Sequence, residues 1–550
     1  MNNKEMLRAK NISLSPFVIT SVVLVLFIYL MLAARVTHGR SPNEQSRIEL
    51  SVTMAKFGSV SLGPVLSIYG TPFDRSERDG KVYSDKAPGL SFLGVPIVWL
   101  SDLFDSREGT SELPGYWILR TLLTCLLVTL PAALFSFFAL GAFRSSPTQK
   151  RDTHIALLFA LLTPLLTYSG VLFGHVPSGI LAALAWKLSL IADEKNGQME
   201  PSPLVAAMAG FLLALAITVE YPTAIVGFVL LSSMFFRKMP VRTLTSFVAS
   251  CFVGLVPCLL YHQLAFGSAF TTGYAFKADS WHALVHQSGF FGVTIPRVDH
   301  MWGLLMGMKR GVLFYCPILA LVPIGFLQME RQKKYSSFSY VLLGGIYLLF
   351  AAGFSDWQAG WSAAARHLVP CILIFIFPFA AAITYITEGQ EKTKTLRWVL
   401  LCLAALSMVC SLLSVSLTPF FPEHFSSPLG QLVLPAMADG FFAPTFLSGE
   451  DLFIRGYVIG LIALLLFYAV TKSLFFLMSP LKMRFLVPVI LLFVSVFYSA
   501  FIWGIASPLP EDAKQIRQDV LRDIGYVSQV RKEHDCDFDF LVKNVPRLTQ

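Results

Sequence analysis

The chain has 550 residues, of which 55% are hydrophobic and only 14% are charged, and its formal net charge is +9. Its mean hydropathy of +0.63 excludes an ordinary soluble globular protein. Apolar runs of membrane-spanning length recur from end to end, so the composition predicts an all-α polytopic membrane protein. The positive charge is then explained by membrane topology and by contact with lipid head groups. Nucleic acid is not expected as a partner.

The first apolar run, residues 16–34, is followed by Arg35 and has no small-residue cleavage site, which indicates an uncleaved helix. Lys4, Arg8 and Lys10 precede it and place the N-terminus in the cytoplasm. Residues 35–117 then form a large outer loop. Within that loop, the apolar piece 90–100 is too short to cross and is predicted to be an interfacial or re-entrant helix.

The remaining apolar runs alternate across the membrane, and every short inner loop carries Lys or Arg. This pattern predicts about thirteen spans, with further outer loops at residues 262–310 and 418–455. Residues 1–506 are interpreted as one transmembrane domain in a bacterial-type cytoplasmic (inner) membrane. The tail, residues 507–550, is expected outside the cytoplasm. It contains a predicted amphipathic helix with Ile516, Val520, Leu521, Ile524 and Val527 on one face.

The eight cysteines and ten histidines predict neither a disulfide framework nor a zinc site. Seven cysteines lie in or beside apolar runs, where they are typically packing residues, and only Cys536 lies in a polar segment. The histidines are scattered and show no metal-ligand spacing. The inner loops contain no Walker motif, which argues against a cytoplasmic ATP-driven reaction. Chemistry is therefore expected outside.

The first outer loop contains two polar segments of interest. Residues 43–56 follow Pro42 and are predicted to form a helix on the membrane surface, with Glu44 and Arg47 as neighbours. Taken alone, these two residues favour an ordinary surface ion pair. Residues 80–89 place Lys86 at head-group depth, where it can meet a specific phosphate or snorkel to any lipid.

Other candidates lie at the outer ends of later spans. His175 is more often a packed histidine than a ligand, whereas Glu220 is costly to bury and favours a functional role. Arg366 follows the small residues 362–365 and is a second candidate for binding a phosphate.

With these residues in place, the chain resembles the type-C glycosyltransferases, which take sugars from polyprenyl-phosphate donors at the outer face of the membrane. Residues 43–50 (NEQSRIEL) resemble the acidic motif of the protein mannosyltransferase and aminoarabinose transferase branches. Residues 83–89 (YSDKAPG) resemble the acidic-Lys-Pro-Pro segment of the same loop. Residues 220–222 (EYP), 266–274 (FGSAFTTGY) and 366–370 (RHLVP) resemble motifs of a less characterised bacterial and archaeal branch.

The chain departs from these patterns at three positions. Asn43 stands where the leading acid of the usual pair is expected, Ala87 replaces a proline, and His367 replaces a tyrosine. The first departure leaves the identity of the catalytic base open between Glu44 and Asp74.

The resemblance implies an inverting transfer of a sugar from a polyprenyl-phosphate donor to a glycan, lipid or protein acceptor. Glu44, or else Asp74, would be the base, and the donor phosphate would be bound by Lys86, Arg47 and Arg366. Supporting roles are expected for Asp85, Tyr83, His175, Glu220 and Tyr221. The lipid-linked sugar is the donor substrate, no cofactor is certain, and a need for divalent metal stays open.

Two other classes of function remain as alternatives. A transporter or flippase of a lipid-linked sugar or small molecule would place charges along a route at mid-depth, where the apolar runs have few. A non-catalytic lipid-binding assembly protein would use the tail and outer loops for partners. The sugar, the acceptor, the length of the lipid carrier and the oligomeric state are not predicted.

Overall fold

The protein is described by a computed structural model. The described residues are 15–33, 41–101, 115–190, 193–195, 198–200, 202–278, 280–289, 292–331, 337–443, 445, 452–478, 488, 491–492, 494–496, 499 and 514–520.

Helices account for most of the described residues. In the first half of the chain they are α1 (Pro16–Ala33), α2 (Pro42–Phe57), α3 (Leu66–Tyr69), α4 (Gly89–Ser101), α5 (Tyr116–Thr124), α6 (Leu130–Leu140), α7 (Gln149–Leu162), α8 (Pro164–Tyr168), α9 (His175–Leu190), α10 (Pro203–Val219), α11 (Ala224–Phe236) and α12 (Val241–Phe266). In the second half they are α13 (Ser280–Gln287), α14 (Val298–Leu305), α15 (Val312–Tyr315), α16 (Val322–Arg331), α17 (Ser337–Gly353), α18 (Val369–Ile374), α19 (Ile376–Glu388), α20 (Lys394–Ser416), α21 (Leu434–Ala438) and α22 (Leu452–Leu477).

Two short antiparallel hairpins are the only sheets among the described residues. Strands β1 (Arg75–Arg78) and β2 (Lys81–Ser84) form the first, and β3 (Asp193–Lys195) and β4 (Gln198–Glu200) form the second. The β1–β2 turn is Asp79-Gly80, and both residues have positive φ, at 50° and 70°. An Asp-Gly pair suits a two-residue hairpin turn because glycine takes this backbone conformation without strain. The sequence patterns described above do not predict this hairpin.

Five helical segments in the described part of the chain are long and apolar enough to cross a membrane. They are α1, the continuous segment Tyr116–Leu140 that joins α5 to α6, α12, α20 and residues 454–477 of α22. The pair Arg366–Ile374 and Ile376–Glu388, bent by 59°, counts as a sixth if it is one broken span. Shorter apolar helices occur between these, so the total of about thirteen spans stays a prediction.

The surface of α12 shows why these helices need lipid. Phe252, Val253, Leu260 and Leu264 on this helix are each more than half exposed. Contiguous apolar surface of this kind is rare on soluble monomers. The described residues therefore belong to a multi-pass membrane protein, while the choice of membrane and the orientation of its termini stay predictions.

The helices expected at residues 43–56 and 90–100 are present as α2 and α4. Pro42 occupies the first turn of α2, and Gly58 ends it with φ of 59° and an N–H bond to the Thr53 carbonyl. Contrary to the expected surface position, every residue from Glu44 to Thr53 is buried. Helix α2 thus brings several polar side chains into the protein interior, where each must find a partner.

Two glycines allow the first outer loop and its neighbours to approach closely. A Cβ on Gly89, at the start of α4, would lie 2.5 Å from the Thr218 hydroxyl oxygen and 2.6 Å from the Thr218 carbonyl carbon in α10. A Cβ on Gly174, before α9, would lie 2.3 Å from Oε1 of Glu220. Backbone atoms cannot move aside as side-chain ends can, so alanine at position 89 would displace α4.

The segment after α12 packs on the first hairpin. Ser76 pairs with Lys277 in an isolated antiparallel bridge, and the Ser76 hydroxyl donates to the Gly273 carbonyl at 2.7 Å. The Arg78 guanidinium lies 5.7 Å from the centre of the Phe276 ring. The first and second outer loops therefore form one surface.

The predicted C-terminal amphipathic helix falls mostly outside the described residues. Residues 514–520 are helical and include Ile516 and Val520. Leu521, Ile524 and Val527, as well as Cys536, lie beyond them.

Candidate functional site

Four charged side chains from the two outer loops form a compact cluster. The Lys86 ammonium lies 2.9 Å from Oδ2 of Asp74 and 3.3 Å from Oδ2 of Asp85. Lys277 also pairs with Asp85, and its ammonium lies 4.0 Å from Oδ1 of Asp74. Two carboxylates thus alternate with two ammonium groups, and their formal charges cancel. Lys277 is a member of this cluster that the sequence analysis missed.

The environment of Lys86 keeps its amine protonated. Burial opposes the charged form, but the nearby Asp74 and Asp85 carboxylates outweigh burial and raise the pKa of Lys86 above its ordinary value. A raised pKa means that the ammonium persists through the neutral and moderately alkaline range. Lys86 therefore stays positively charged at neutral pH.

Asp85 retains hydrogen-bonding capacity in this cluster. Both lysines contact its Oδ2, while its Oδ1 is buried and has no hydrogen-bond partner among the described residues. A buried acceptor without a partner is costly and usually marks a position that a ligand or water completes.

Arg47 and Glu220 form a second buried pair, at 2.7 Å between Nη2 and Oε1. The other Arg47 nitrogens donate to Oδ1 of Asn43 at 3.0 Å and to the Ala87 carbonyl at 3.3 Å. Arg47 is therefore engaged by protein groups on several sides, and it fixes the backbone directly after Lys86. This geometry favours a positioning role over direct phosphate binding.

Arg366 differs from Arg47 because its guanidinium is uncommitted. Its Nε is buried without a hydrogen-bond partner, and no other described residue forms an ion pair with it. The guanidinium lies 5.2 Å from the centre of the Phe173 ring. It is also close enough to Lys86 for its positive charge to oppose that of the ammonium. Arg366 thus lies within electrostatic reach of Lys86, and the two cations share no anion among the described residues.

The imidazoles of His175 and His367 lie beside these cations. Their ring centres are 5.7 Å apart, and Nδ1 of His175 lies 3.7 Å from Oε1 of Glu220. His175 is within electrostatic reach of Arg366, Arg47 and Lys86. The residues predicted at distant sequence positions therefore converge on one region.

Glu44 has a different environment. Its two carboxylate oxygens accept hydrogen bonds from Nε and Nη2 of Arg120, each at 3.0 Å. The Leu172 backbone N–H donates a further bond at 2.8 Å. Both side chains of the pair are only 1% exposed. Glu44 is thus a buried, fully engaged carboxylate that ties α2 to α5 and to the segment before α9.

Two predicted supporting tyrosines are engaged elsewhere. Tyr83 packs in a small apolar cluster, with its ring edge against Phe266 at 5.7 Å between centres. The Tyr221 hydroxyl lies 2.8 Å from Nε2 of His262, whose Nδ1 donates to the Ala269 carbonyl. That arrangement leaves Nε2 as the acceptor, so Tyr221 donates to it.

Sequence reasoning missed Lys277, Arg120 and Tyr274. Arg120 and Lys277 lie 76 and 192 positions from their carboxylate partners Glu44 and Asp85, so spacing gives no signal for them. Tyr274 ends the segment 266–274, whose resemblance to a family motif implies no role for this tyrosine. Among the described residues, no group of three or more His, Cys, Asp or Glu side chains is arranged to hold a metal ion.

No protein-family model and no curated protein sequence matches this chain. Its fold is similar to structures of ArnT from Cupriavidus metallidurans. The apo state shows 14% identity and a TM-score of 0.47, covering 89% of this chain and 76% of ArnT. The form bound to undecaprenyl phosphate shows 14% identity and a TM-score of 0.48, covering 90% of this chain and 77% of ArnT.

A further similar structure is the archaeal oligosaccharyltransferase AglB from Archaeoglobus fulgidus, in complex with an inhibitory peptide and a dolichol-phosphate. It shows 13% identity and a TM-score of 0.40, and the match covers 91% of this chain and 61% of AglB. Both similar proteins are members of the type-C superfamily that the sequence motifs resemble. Likeness at these identities concerns the fold alone, and no residue role follows from it.

Proposed function

We propose that the protein is a membrane glycosyltransferase that moves a sugar from a polyprenyl-phosphate donor to an acceptor on the extracytoplasmic face, with inversion at the anomeric carbon. The observation that carries this proposal is the uncommitted Arg366 guanidinium beside the protonated Lys86. Two adjacent cations without a shared anion are suited to a phosphate group.

The chemistry of the leaving group explains why cations dominate the site. As the anomeric C–O bond breaks, its electron pair goes to the lipid phosphate, which gains negative charge. Lys86 and Arg366 stabilise that charge, so no proton needs to be delivered to the leaving oxygen. Arg47 contributes by holding the Ala87 carbonyl and thereby the position of Lys86.

We propose Asp74 as the catalytic base. Its side chain is 14% exposed, within reach of an acceptor hydroxyl, whereas Glu44 is 1% exposed and bound by Arg120. Asp74 would take the acceptor's proton as that oxygen attacks the anomeric carbon. The sequence puts Glu44 before Asp74, and the greater exposure of Asp74 supports the opposite order. Glu44 remains the alternative that mutation can test.

Undecaprenyl phosphate is a suitable test ligand, because it is the lipid bound in one of the structures of similar fold. The wild-type protein in nanodiscs should bind it and should transfer sugar from at least one member of a panel of undecaprenyl-phosphate sugars. Lys86→Ala and Arg366→Ala should each weaken binding by roughly tenfold to a hundredfold, as expected for a lost charged hydrogen bond. Arg242→Ala, at an exposed arginine on α12, is the matched control.

The outcomes separate the proposal from its alternatives. A transporter of lipid-linked sugar would bind the donor and move it across liposomes without forming a glycosylated product. An assembly protein would lose abundance rather than turnover on Lys86→Ala. Absence of both lipid binding and transfer by the wild-type protein would overturn the proposal.

A further inference from the structure

An arc of five half-buried or buried rings borders the cation site. His175 is followed by His367, with ring centres 5.7 Å apart, and His367 by Phe354 at 5.5 Å. Phe354 lies 5.7 Å from His286, which stacks on Tyr274 at 4.2 Å and an interplanar angle of 8°. His175 lies on α9, His367 in the turn that precedes α18, and Phe354 directly after α17. His286 and Tyr274 lie in the second outer loop.

The two ends of the arc approach the same carboxylate. Nδ1 of His175 lies 3.7 Å from Oε1 of Glu220, and Tyr274 is within electrostatic reach of Glu220, Asp85 and Lys277. The arc thus runs from the Arg47–Glu220 pair towards the Asp85–Lys277 pair. Aromatic walls with a few convergent polar groups are typical of sites for small organic ligands.

The Tyr274 hydroxyl is available to such a ligand. No group among the described residues hydrogen-bonds it, in contrast to the Tyr221 hydroxyl, which donates to His262. Burial, together with the Glu220 and Asp85 carboxylates, raises the pKa of Tyr274, so the phenol stays protonated and can donate. The close stack on His286 fixes the direction of the ring.

We infer that Tyr274 binds the transferred sugar of the donor, with its hydroxyl donating to a sugar hydroxyl while the stacked His286 holds the ring in place. The neighbouring rings of the arc pack against the C–H face of the pyranose, whose partial positive charge suits the negative faces of aromatic rings. This inference rests on the proposed function. It assigns the sugar end of a site whose phosphate end is Lys86 and Arg366.

The test compares two ligands for each variant in nanodiscs: bare undecaprenyl phosphate, and the undecaprenyl-phosphate sugar that the wild-type protein binds most tightly among glucosyl, mannosyl and aminoarabinosyl forms. Tyr274→Phe keeps the ring but removes the hydroxyl. It should weaken binding of the sugar-bearing lipid by about three- to tenfold, the range of one neutral hydrogen bond. Binding of the bare lipid phosphate should be unchanged, which a general structural defect would not allow.

Two further variants test the stack. His286→Ala should also lower the affinity for the sugar-bearing lipid selectively, while His286→Phe, which preserves a stacked ring, should restore most of it. Tyr468→Phe, at a tyrosine that is 55% exposed on α22, controls for loss of a tyrosine hydroxyl.

Each result bears on one inference. If the wild-type protein neither binds undecaprenyl phosphate nor transfers sugar, the proposed function fails. If it binds the bare lipid as tightly as every sugar-bearing lipid, or if Tyr274→Phe weakens both ligands equally, the role of Tyr274 is overturned while the phosphate site stands.

Discussion

The Asp74, Asp85, Lys86 and Lys277 cluster combines rigidity with capacity for an anion. The negative charge of Asp85 is compensated by Lys277 as well as by Lys86, so it does not depend on Lys86 alone. A phosphate bound between Lys86 and Arg366 would neutralise the positive charge of Arg366, which has no ion-pair partner among the described residues. Because its charges compensate each other, the cluster lowers the cost of holding them near the membrane.

Asp74 and Glu44 provide the sharpest residue-scale prediction. Asp74→Asn should lower the rate of transfer on the order of a hundredfold or more. It should destabilise the protein less than Glu44→Gln does, because Lys86 and Lys277 keep Asp85 as a partner. Glu44→Gln should instead destabilise the protein by about 3–5 kcal/mol, since it leaves the Arg120 charge buried without its partner. Transfer rates per folded molecule and melting temperatures in detergent measure the two effects.

The control is the double variant Glu44→Gln with Arg120→Met. Removing both charges should cost less stability than the sum of the single changes, because no uncompensated charge remains. Glu44 would be the base if Asp74→Asn transfers sugar normally and a stably folded Glu44→Gln does not.

At the scale of elements, sequence pattern was sufficient for some features and not for others. Pro42 and the apolar piece after Gly89 predicted the helices that became α2 and α4. The depth of α2 was not predictable, because its polar residues are satisfied by partners far along the chain, such as Arg120 and Leu172. A helix with this composition looks amphipathic or solvated until those contacts are known.

The residues of the candidate site were also predictable only in part. Lys86, Asp74, Glu220 and Arg366 were selected by their chemistry at the ends of apolar runs, and the structure brings these residues to one region. Lys277 and Tyr274 were not predicted because their positions depend on how the second outer loop packs on the hairpin at Ser76. Local patterns carry no information about that contact.

Gly89 gives a prediction at the scale of elements. Gly89→Ala should lower the melting temperature and reduce affinity for undecaprenyl phosphate, because the new Cβ would force α4 away from the Thr218 backbone and move the adjacent Lys86 segment. Thermal unfolding and lipid binding of the purified variant measure both effects.

Gly345→Ala on α17 is the matched control, since its Cβ would meet nothing within 4 Å. It should be neutral or slightly stabilising, as expected for alanine in a helix interior. A Gly89→Ala variant with wild-type stability and affinity would contradict the proposed dependence of the phosphate site on this packing.

At the scale of the whole molecule, membrane sidedness connects the fold to the proposed reaction. The carboxylates and cations of the site all lie on the loops and helix ends that the positive-inside pattern assigns to the outside. If that assignment is correct, the acceptor and the lipid-linked donor must both be available at the outer face. The orientation can be tested independently of activity.

Single cysteines at exposed positions should report this orientation in intact cells. Glu77→Cys, on the exposed face of the β1–β2 hairpin, should react with a membrane-impermeant maleimide, whereas Arg242→Cys, at the inner end of α12, should react only after the membrane is permeabilised. The seven described native cysteines are buried or half-buried, and the unmodified protein gives the background labelling. Labelling of Arg242→Cys but not Glu77→Cys in intact cells would show that the orientation is opposite to the predicted one. The proposed reaction would then have to take place at the cytoplasmic face.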